Sequence, residues 1–351
     1  MDIRSLYMSE LTEYCTDKGW PKFRGKQIFE WLHKKHVESV DEMTSVPKNI
    51  REELDKGICH VRYVTHQTDK SDGTRKFLFE MNDGQMIETV FMKYHHGNSI
   101  CISSQAGCAM GCRFCASTIG GCIRDLTAGE MLGQIYQAVN IVGKEEDDSE
   151  ISNVVVMGTG EPLQNYDNLI RFIKLITDKD GYDLSIRNIT VSSCGIVPKI
   201  RRLADEGLGI TFALSLHAPT DELRKTLMPI ANKYSIEETL SAADYYFDKT
   251  GRRITVEYSL MNGINDSPEN ARMLSEILKK RNNRGGHSGI YHVNLIPVNP
   301  VDERDFKPTS AENVDEFKKI LEKNRINVTI RKGMGRDIDA ACGQLRRKHG
   351  V

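Results

Sequence analysis

Six apolar, β-branched runs recur between residues 99 and 297, with a stretch of helical character between each run and the next. This alternation restricts the fold more than any other feature of the sequence. The runs are SICISS (99–104), NVVVMG (153–158), RNITVSS (187–193), ITFALSL (210–216), ITVEYSL (254–260) and YHVNLIP (291–297). Between them lie TAGEMLGQIYQAVNIVG, NYDNLIRFIKLI, VPKIRRLADEG, SIEETLSAADYYFDKTG and SPENARMLSEILKKR. Strands that are apolar throughout are buried on both faces, as in a parallel sheet covered by helices. Six units are too few for a closed eight-fold barrel, which typically takes about 250 residues. The pattern therefore predicts an α/β fold built on a partial (βα)6, TIM-like barrel, with a flat doubly wound sheet as the alternative. In either case the chemistry sits beyond the C-terminal ends of the strands. NVTIRKG (327–333) is one more strand candidate, followed by a tail, GRDIDAACGQLRRKHGV.

The residues before 99 read differently. MSELTEYCTDKG, GKQIFEWLHKKH and VPKNIREELDKGI are helical in pattern and are broken by Gly or Pro. TRKFLFEM and QMIETVFMKY then alternate as strands around Asn82-Asp83-Gly84, a hairpin signal. The expected organisation is a helical accessory domain over 1–60, a β-hairpin extension over 61–98, and the barrel with its C-terminal tail over 99–351. EEDD (145–148) and ERDFKPTSAEN look like solvated loops. With 39% hydrophobic residues and a net charge of −1 the chain is not of the disordered class. No run approaches the ~18 apolar residues of a membrane helix. The first residues lack the apolar run of a secretory signal, so a cytoplasmic, membrane-free protein is expected.

Five of the nine cysteines fall between Cys101 and Cys122. The odd count argues against a framework of structural disulfides. Cys108-Ala-Met-Gly-Cys112-Arg-Phe-Cys115 directly follows the first strand of the repeat, and Gly107 and Gly111 let such a loop curl. Three thiolates at this spacing can hold a [4Fe–4S] cube and leave one iron open, since a cube takes four ligands. A structural zinc site would need a fourth ligand, which Cys122 or Cys101 could supply. Met157-Gly-Thr-Gly-Glu161-Pro162 ends the second strand with a carboxylate beside two glycines. Ser192, Ser215, His217 and Asn299 stand at the exits of later strands. Each could cap a helix, but their recurrence on successive strand ends favours one shared ligand.

The CxxxCxxC loop in a βα repeat resembles the radical S-adenosylmethionine (SAM) superfamily. SSQAGCAMGCRFCAST, MGTGEP, SLHAP, NLIPVNP and GRDIDAACGQL extend the match along essentially the whole chain, to the adenine-C2 methyltransferases of 23S ribosomal RNA and transfer RNA. The resemblance implies a partial barrel of the radical SAM type, a cluster on Cys108, Cys112 and Cys115, and SAM held by Gly160, Glu161, Ser192, Ser215, Leu216, His217 and Asn299. It further implies that Cys342 accepts a methyl group as S-methylcysteine and forms a covalent adduct with RNA. Cys101 is then the thiol that releases the adduct through a transient disulfide with Cys342, and Glu88 is the proton acceptor. Thr159 stands where relatives often carry Met, between the matching positions. No role falls to Cys15, Cys59, Cys122 or Cys194. The sister family that methylates adenine C8 and confers antibiotic resistance shares the cluster and both thiols; NLIPVNP resembles the C2 enzymes. A metal-bearing RNA-binding module without catalysis is the alternative of another class.

The implied partners are 23S rRNA, tRNA and an electron donor such as flavodoxin or ferredoxin, with the chain a monomer. Lys18, Lys22, Arg24, Lys26, Lys34 and Lys35, interleaved with Trp20, Phe23, Phe29 and Trp31, suit phosphate contact and base stacking. A solvated helix with an apolar core face is the plainer reading. Arg331, Lys332, Arg336, Arg346, Arg347 and Lys348 make a second basic region around Cys342.

Overall fold

The computed structural model describes residues 2–284, 287–301, 303–331, 333, 334, 338 and 345. Three helices open the chain, α1 (Met8–Asp17), α2 (Phe23–His33) and α3 (Lys48–Asp55). β1 (Val61–Thr68), β2 (Arg75–Met81) and β3 (Met86–Met92) follow and pair antiparallel. β3 pairs antiparallel with β4 (Asn98–Cys101), so the hairpin strands continue the barrel sheet. β5 (Gln105–Gly107) and β6 (Cys122–Asp125) form a separate small ribbon.

Helix α4 (Ala128–Gly143), β7 (Ile151–Val156), α5 (Tyr166–Ile176), β8 (Ile189–Ser193), α6 (Val197–Asp205) and β9 (Thr211–Ser215) come next. They are followed by α7 (Asp221–Leu227), α8 (Ile236–Thr250), β10 (Ile254–Leu260) and α9 (Pro268–Arg281). The two-residue strands β11 (Asn283–Arg284) and β12 (His287–Ser288) precede β13 (Tyr291–Pro297), α10 (Ala311–Lys323) and β14 (Asn327–Ile330). The main sheet has ten strands in the order β1-β2-β3-β4-β7-β8-β9-β10-β13-β14, parallel from β4 onward.

The sheet curves. Residues of β3, β4, β7, β8, β9, β10, β13 and β14 all border one cavity of about 910 Å³. In a flat sheet those strands, about 4.8 Å apart, would spread over roughly 34 Å. An open, partial barrel brings their ends together.

β1 was not expected. Only Val61 of it is buried, because it is the edge strand, so its sequence shows no clean alternation. α10 begins inside a stretch that reads as a solvated loop; Ser310 caps it by accepting from the Asn313 amide. The EEDD loop is not simply solvated either, since Glu145 and Glu146 pair with the buried Arg75 of β2.

The helical start of the chain is packed against the barrel helices. Leu11, Cys15, Ile28, Phe29 and Leu32 join the main core. Glu10 pairs with Arg171 of α5, and His33 Nδ1 lies 3.0 Å from the Tyr136 hydroxyl of α4. The His36 ring stacks on Tyr136 and Tyr182, with centroids 4.5 and 4.9 Å away. Burial lowers His33 to about 3 and His36 to about 4, so both rings remain neutral.

Candidate active site

The cysteine loop is fixed at both ends. The β5–β6 ribbon closes it, with the Cys108 amide donating to the Gly121 carbonyl at 2.8 Å. Gly107 has φ +85°, and a Cβ there would lie 2.1 Å from the Gly121 carbonyl oxygen, so only glycine fits this turn. Thr118 Oγ1 donates to the carbonyls of Cys112 (3.1 Å) and Cys115 (2.9 Å), and the Arg113 amide reaches the Leu227 carbonyl at the end of α7. Phe114 packs edge-on against His217, with ring centroids 4.9 Å apart.

Cys108, Cys112 and Cys115 are free thiols on the cavity wall, and Cys122 is not among its lining residues. Cys112 is backed by an apolar cluster that includes Leu227, Met228 and Met261. Burial and the neighbouring cysteines push the Cys108 thiol up to about 12 and Cys112 higher still. Thiolates in such a place need a compensating cation, and an iron centre supplies one. Three sulfur donors facing an open cavity fit a [4Fe–4S] cluster with one iron left for another ligand.

The opposite floor is made by strand ends. Gly160 follows β7 with φ +111°, and a Cβ there would come within 2.7 Å of Gln105 Cβ and Ser104 Oγ. Glu161 is buried; its carboxylate accepts the amides of Cys194 (2.8 Å) and Leu163 (3.0 Å), while its own amide donates to Gln105 Oε1 (2.8 Å). Burial pushes its carboxyl up against the pull of those amides. Ser192 Oγ and Ser215 Oγ lie 3.3 Å apart on β8 and β9.

His217 sits in the left-handed region, at φ +58°, with its carbonyl held by Asn265 Nδ2 (2.8 Å). Its Nδ1 accepts the Ser259 amide at 2.9 Å, which assigns the remaining proton to Nε2. Burial lowers this histidine to about 3, so it is a neutral donor. Gly160, Glu161, Ser192, Ser215, His217 and Asn299 all border the cavity. Leu216 does not. Its side chain is in the core, its amide donates to the Glu257 carbonyl (3.1 Å), and its carbonyl accepts Arg224 Nε (3.2 Å).

A third wall comes from β3 and β4, through Val90, Met92 and Cys101. Cys101 is buried, borders the cavity and stands opposite Val90 of β3. Glu88, two residues before Val90, shares that face but is not among the residues that border the cavity; it is 4% exposed, with Oε2 2.9 Å from Nζ of the fully buried Lys76. Burial raises the Cys101 thiol, and the Arg331 guanidinium opposes this most strongly.

Gly333, Met334 and Ile338 also border the cavity. Cys342 lies outside the described residues, as do Lys332, Arg336, Arg346, Arg347 and Lys348.

Sequence reasoning missed Lys76, Glu257 and Arg224, gave Cys194 no role, and read Arg331, which borders the cavity, only as part of a basic region. Lys76 and Glu257 carry a signal, a charge inside a strand run. Glu257 borders the cavity and accepts from Asn294 Nδ2 at 2.9 Å. Cys194 borders it too. Arg224 is fully buried below the floor, where Nη2 donates to the Cys194 carbonyl (2.7 Å); nothing in its local sequence announces this. The aromatic residues of α2 and its surroundings are mostly core. Phe29 is fully buried, Trp20 and Trp31 pack on the core, and only Phe23 is strongly exposed, with the Arg24 guanidinium 4.9 Å above its ring.

Residues 102–274 match the Radical SAM superfamily, and with the open barrel and its three-cysteine loop they define a radical SAM enzyme. Residues 1–59 match the ribosomal RNA large subunit methyltransferase N-terminal domain. A probable dual-specificity RNA methyltransferase RlmN of Lachnospira eligens is 56% identical over 99% of this chain and 96% of its own length. The one from Lachnoclostridium phytofermentans is 53% identical over 99% and 95%. The crystal structure of a radical SAM methyltransferase from Sphaerobacter thermophilus superposes with a TM-score of 0.90 at 40% identity, covering 98% of each chain. The chain belongs to the RlmN family of radical SAM RNA methyltransferases, which use a [4Fe–4S] cluster and SAM. Among the described residues no helix is long and apolar enough to cross a membrane.

Proposed function

We propose that this chain methylates C2 of adenosine in 23S rRNA and in tRNA, in the cytoplasm, as a monomer served by a flavodoxin- or ferredoxin-like electron donor. One observation carries the reading: the cysteine loop, the strand-end floor and Cys101 face a single cavity, which Ile338, four residues before Cys342, also borders, while Glu88 stands beside it on the face of β3 that Val90 presents to the cavity. Cys108, Cys112 and Cys115 hold the cluster. Gly160, Glu161, Ser192, Ser215, His217 and Asn299 hold SAM, with Leu216 fixing the backbone between Ser215 and His217. When bound, the cluster and SAM supply the hydrogen-abstracting radical.

Cys342 takes a methyl group from SAM by thiolate attack on the sulfonium methyl, a reaction open to the thiolate and not to the thiol. Once that S-methyl group has lost a hydrogen atom, its carbon bonds to adenine C2, an electron-poor position that a sulfonium alone would not alkylate. The adduct gives one electron to a one-electron acceptor and its C2 proton to Glu88. Cys101 thiolate then attacks the Cys342 sulfur. The sulfur–carbon bond breaks, its electron pair leaves with the carbon and picks up a proton, and the Cys101–Cys342 disulfide is reduced later by thiols. The strongly exposed Phe23 with Arg24, and the basic residues around them, suit contact with RNA. Nucleoside mass spectrometry after anaerobic reaction with SAM, dithionite and RNA tests the proposal. 2-Methyladenosine is expected; 8-methyladenosine, or no methylated product, would overturn it.

A further inference from the structure

Lys76 has no exposed surface, yet carries an ammonium group 2.9 Å from the Glu88 carboxylate. Lysine is almost never fully buried unless paired. Apolar residues of similar volume often replace a buried ion pair without loss of stability. Stability alone therefore gives no reason for a lysine here, and its position does.

The register of β2 and β3 sets Lys76 opposite Val90, and that of β3 and β4 sets Val90 opposite Cys101. Lys76, Val90 and Cys101 thus form one row across three strands, on the face that Val90 and Cys101 present to the cavity. Glu88 stands on the same face of β3, two residues from Val90. Ser103 Oγ donates to the Glu88 carbonyl at 2.7 Å and fixes the strand there. Among the described residues, Lys76 from β2 pairs with this carboxylate, and Cys101 from β4 feels Lys76, Glu88 and Arg331 from beyond β14. On the far face of the sheet, α4 sends the neutral Gln134 to Thr89.

We infer that Lys76 is the positioning residue for Glu88, holding its carboxylate ionised and aimed along the row that ends at Cys101. The inference rests on Glu88 being the proton acceptor proposed above. A carboxylate this buried with no cation beside it favours its neutral form, which cannot take a proton. Beside Lys76 the ionised form persists. When the C2–H bond breaks, the electron pair stays in the adenine ring and the proton goes to Glu88, which becomes a neutral acid. The ammonium then disfavours that acid and favours passing the proton on, which resets the site.

The test follows single-turnover methyl transfer to RNA from about pH 5 to 9 with cluster-loaded wild type, Lys76→Met, Lys76→Arg and Glu88→Gln. Lys76→Met removes the ammonium that pairs with the buried carboxylate, so its acid limb should lie a pH unit or more above that of the wild type. At pH values below both limbs the rate should fall roughly ten-fold for each unit of that shift. Lys76→Arg should restore the wild-type limb, and Glu88→Gln should be slow with no such limb. A Lys76→Met enzyme with the wild-type limb, beside a crippled Glu88→Gln, would overturn the inference and leave Glu88 as acceptor. A Glu88→Gln enzyme with the wild-type rate and limb would instead remove Glu88 from the mechanism. Should Lys76→Met not fold, the infrared difference between wild type and Glu88→Gln decides. An ionised carboxylate at neutral pH is expected, and a protonated one would overturn the inference.

Discussion

On the floor made by the ends of β7, β8 and β9, polar groups are neutral or tied to backbone. His217 is held neutral by burial and by the Ser259 amide, and the Glu161 carboxylate is occupied by two amides. In strands β2 and β3, beside the Cys101 wall, the opposite holds, since a full ion pair, Lys76–Glu88, is kept with almost no water contact. A floor that must orient a zwitterionic cofactor works through fixed dipoles and needs no change of charge. A wall that must take up a proton needs a group poised between two charge states, and a partner charge to set that poise. On the roles proposed above, the cavity floor and the strands beside Cys101 thus differ as holding does from reacting.

The largest effect should come from the cysteine loop. Changing Cys108, Cys112 and Cys115 together to Ala should abolish the roughly four irons per chain expected of a [4Fe–4S] cluster, and SAM cleavage with them. Iron analysis and 5′-deoxyadenosine yield check this, and a triple variant that kept its iron would break the assignment of the cluster to this loop.

Next is the floor. Gly160→Ala places a methyl group within 2.7 Å of Gln105 and Ser104 at a φ that side chains rarely adopt. The strain is about 1–3 kcal/mol. It should weaken SAM binding by ten-fold or more in calorimetry while leaving the Lys76–Glu88 wall intact. Wild-type affinity would mean that the floor is not where SAM lies.

The smallest effect concerns stability. His33 titrates at about 3 in the fold against an ordinary value of 6.5. Between those values the unfolded chain binds the extra proton, so stability is complete above pH 6.5 and falls as pH drops, by up to about 1.4 kcal/mol per pH unit. Its buried neighbours are Arg4, His36 and Tyr136, of which Arg4 and His36 disfavour the charged ring. Denaturant unfolding at two pH values should show a slope reduced by one proton in His33→Phe. An unchanged slope would place the acid sensitivity elsewhere.

Much of this was legible in the sequence, for definite reasons. β10 and β13 coincide with their apolar runs, because the fully buried Ile254, Val256, Tyr258 and Leu260 mark the first from end to end, and Tyr291, Val293 and Leu295 mark most of the second. The cysteine loop was legible because few other uses fit three thiols at that spacing. Edge strand β1 was not legible, since one buried residue sets no pattern. Lys76 and Glu88 lie 12 residues apart in sequence, and the hairpin register alone makes them partners. Arg224 owes its role to three carbonyls that the fold brings together, those of Cys194, Ser215 and Leu216.

The central claim is the proposed partnership of Cys101 with Cys342 as methyl carrier, and a pair of variants purified from cells tests it most directly. Cys342→Ala has no sulfur to methylate and should bind the cluster and SAM yet carry no RNA. Cys101→Ala should accept the methyl group, add it to adenine and then stall, for want of the sulfur that breaks the adduct. It should therefore purify with covalently bound RNA, seen as a gel shift that ribonuclease removes and as added mass on the peptide containing Cys342. Cys101→Ala free of RNA and turning over like wild type would contradict the account and leave Cys101 an ordinary strand residue.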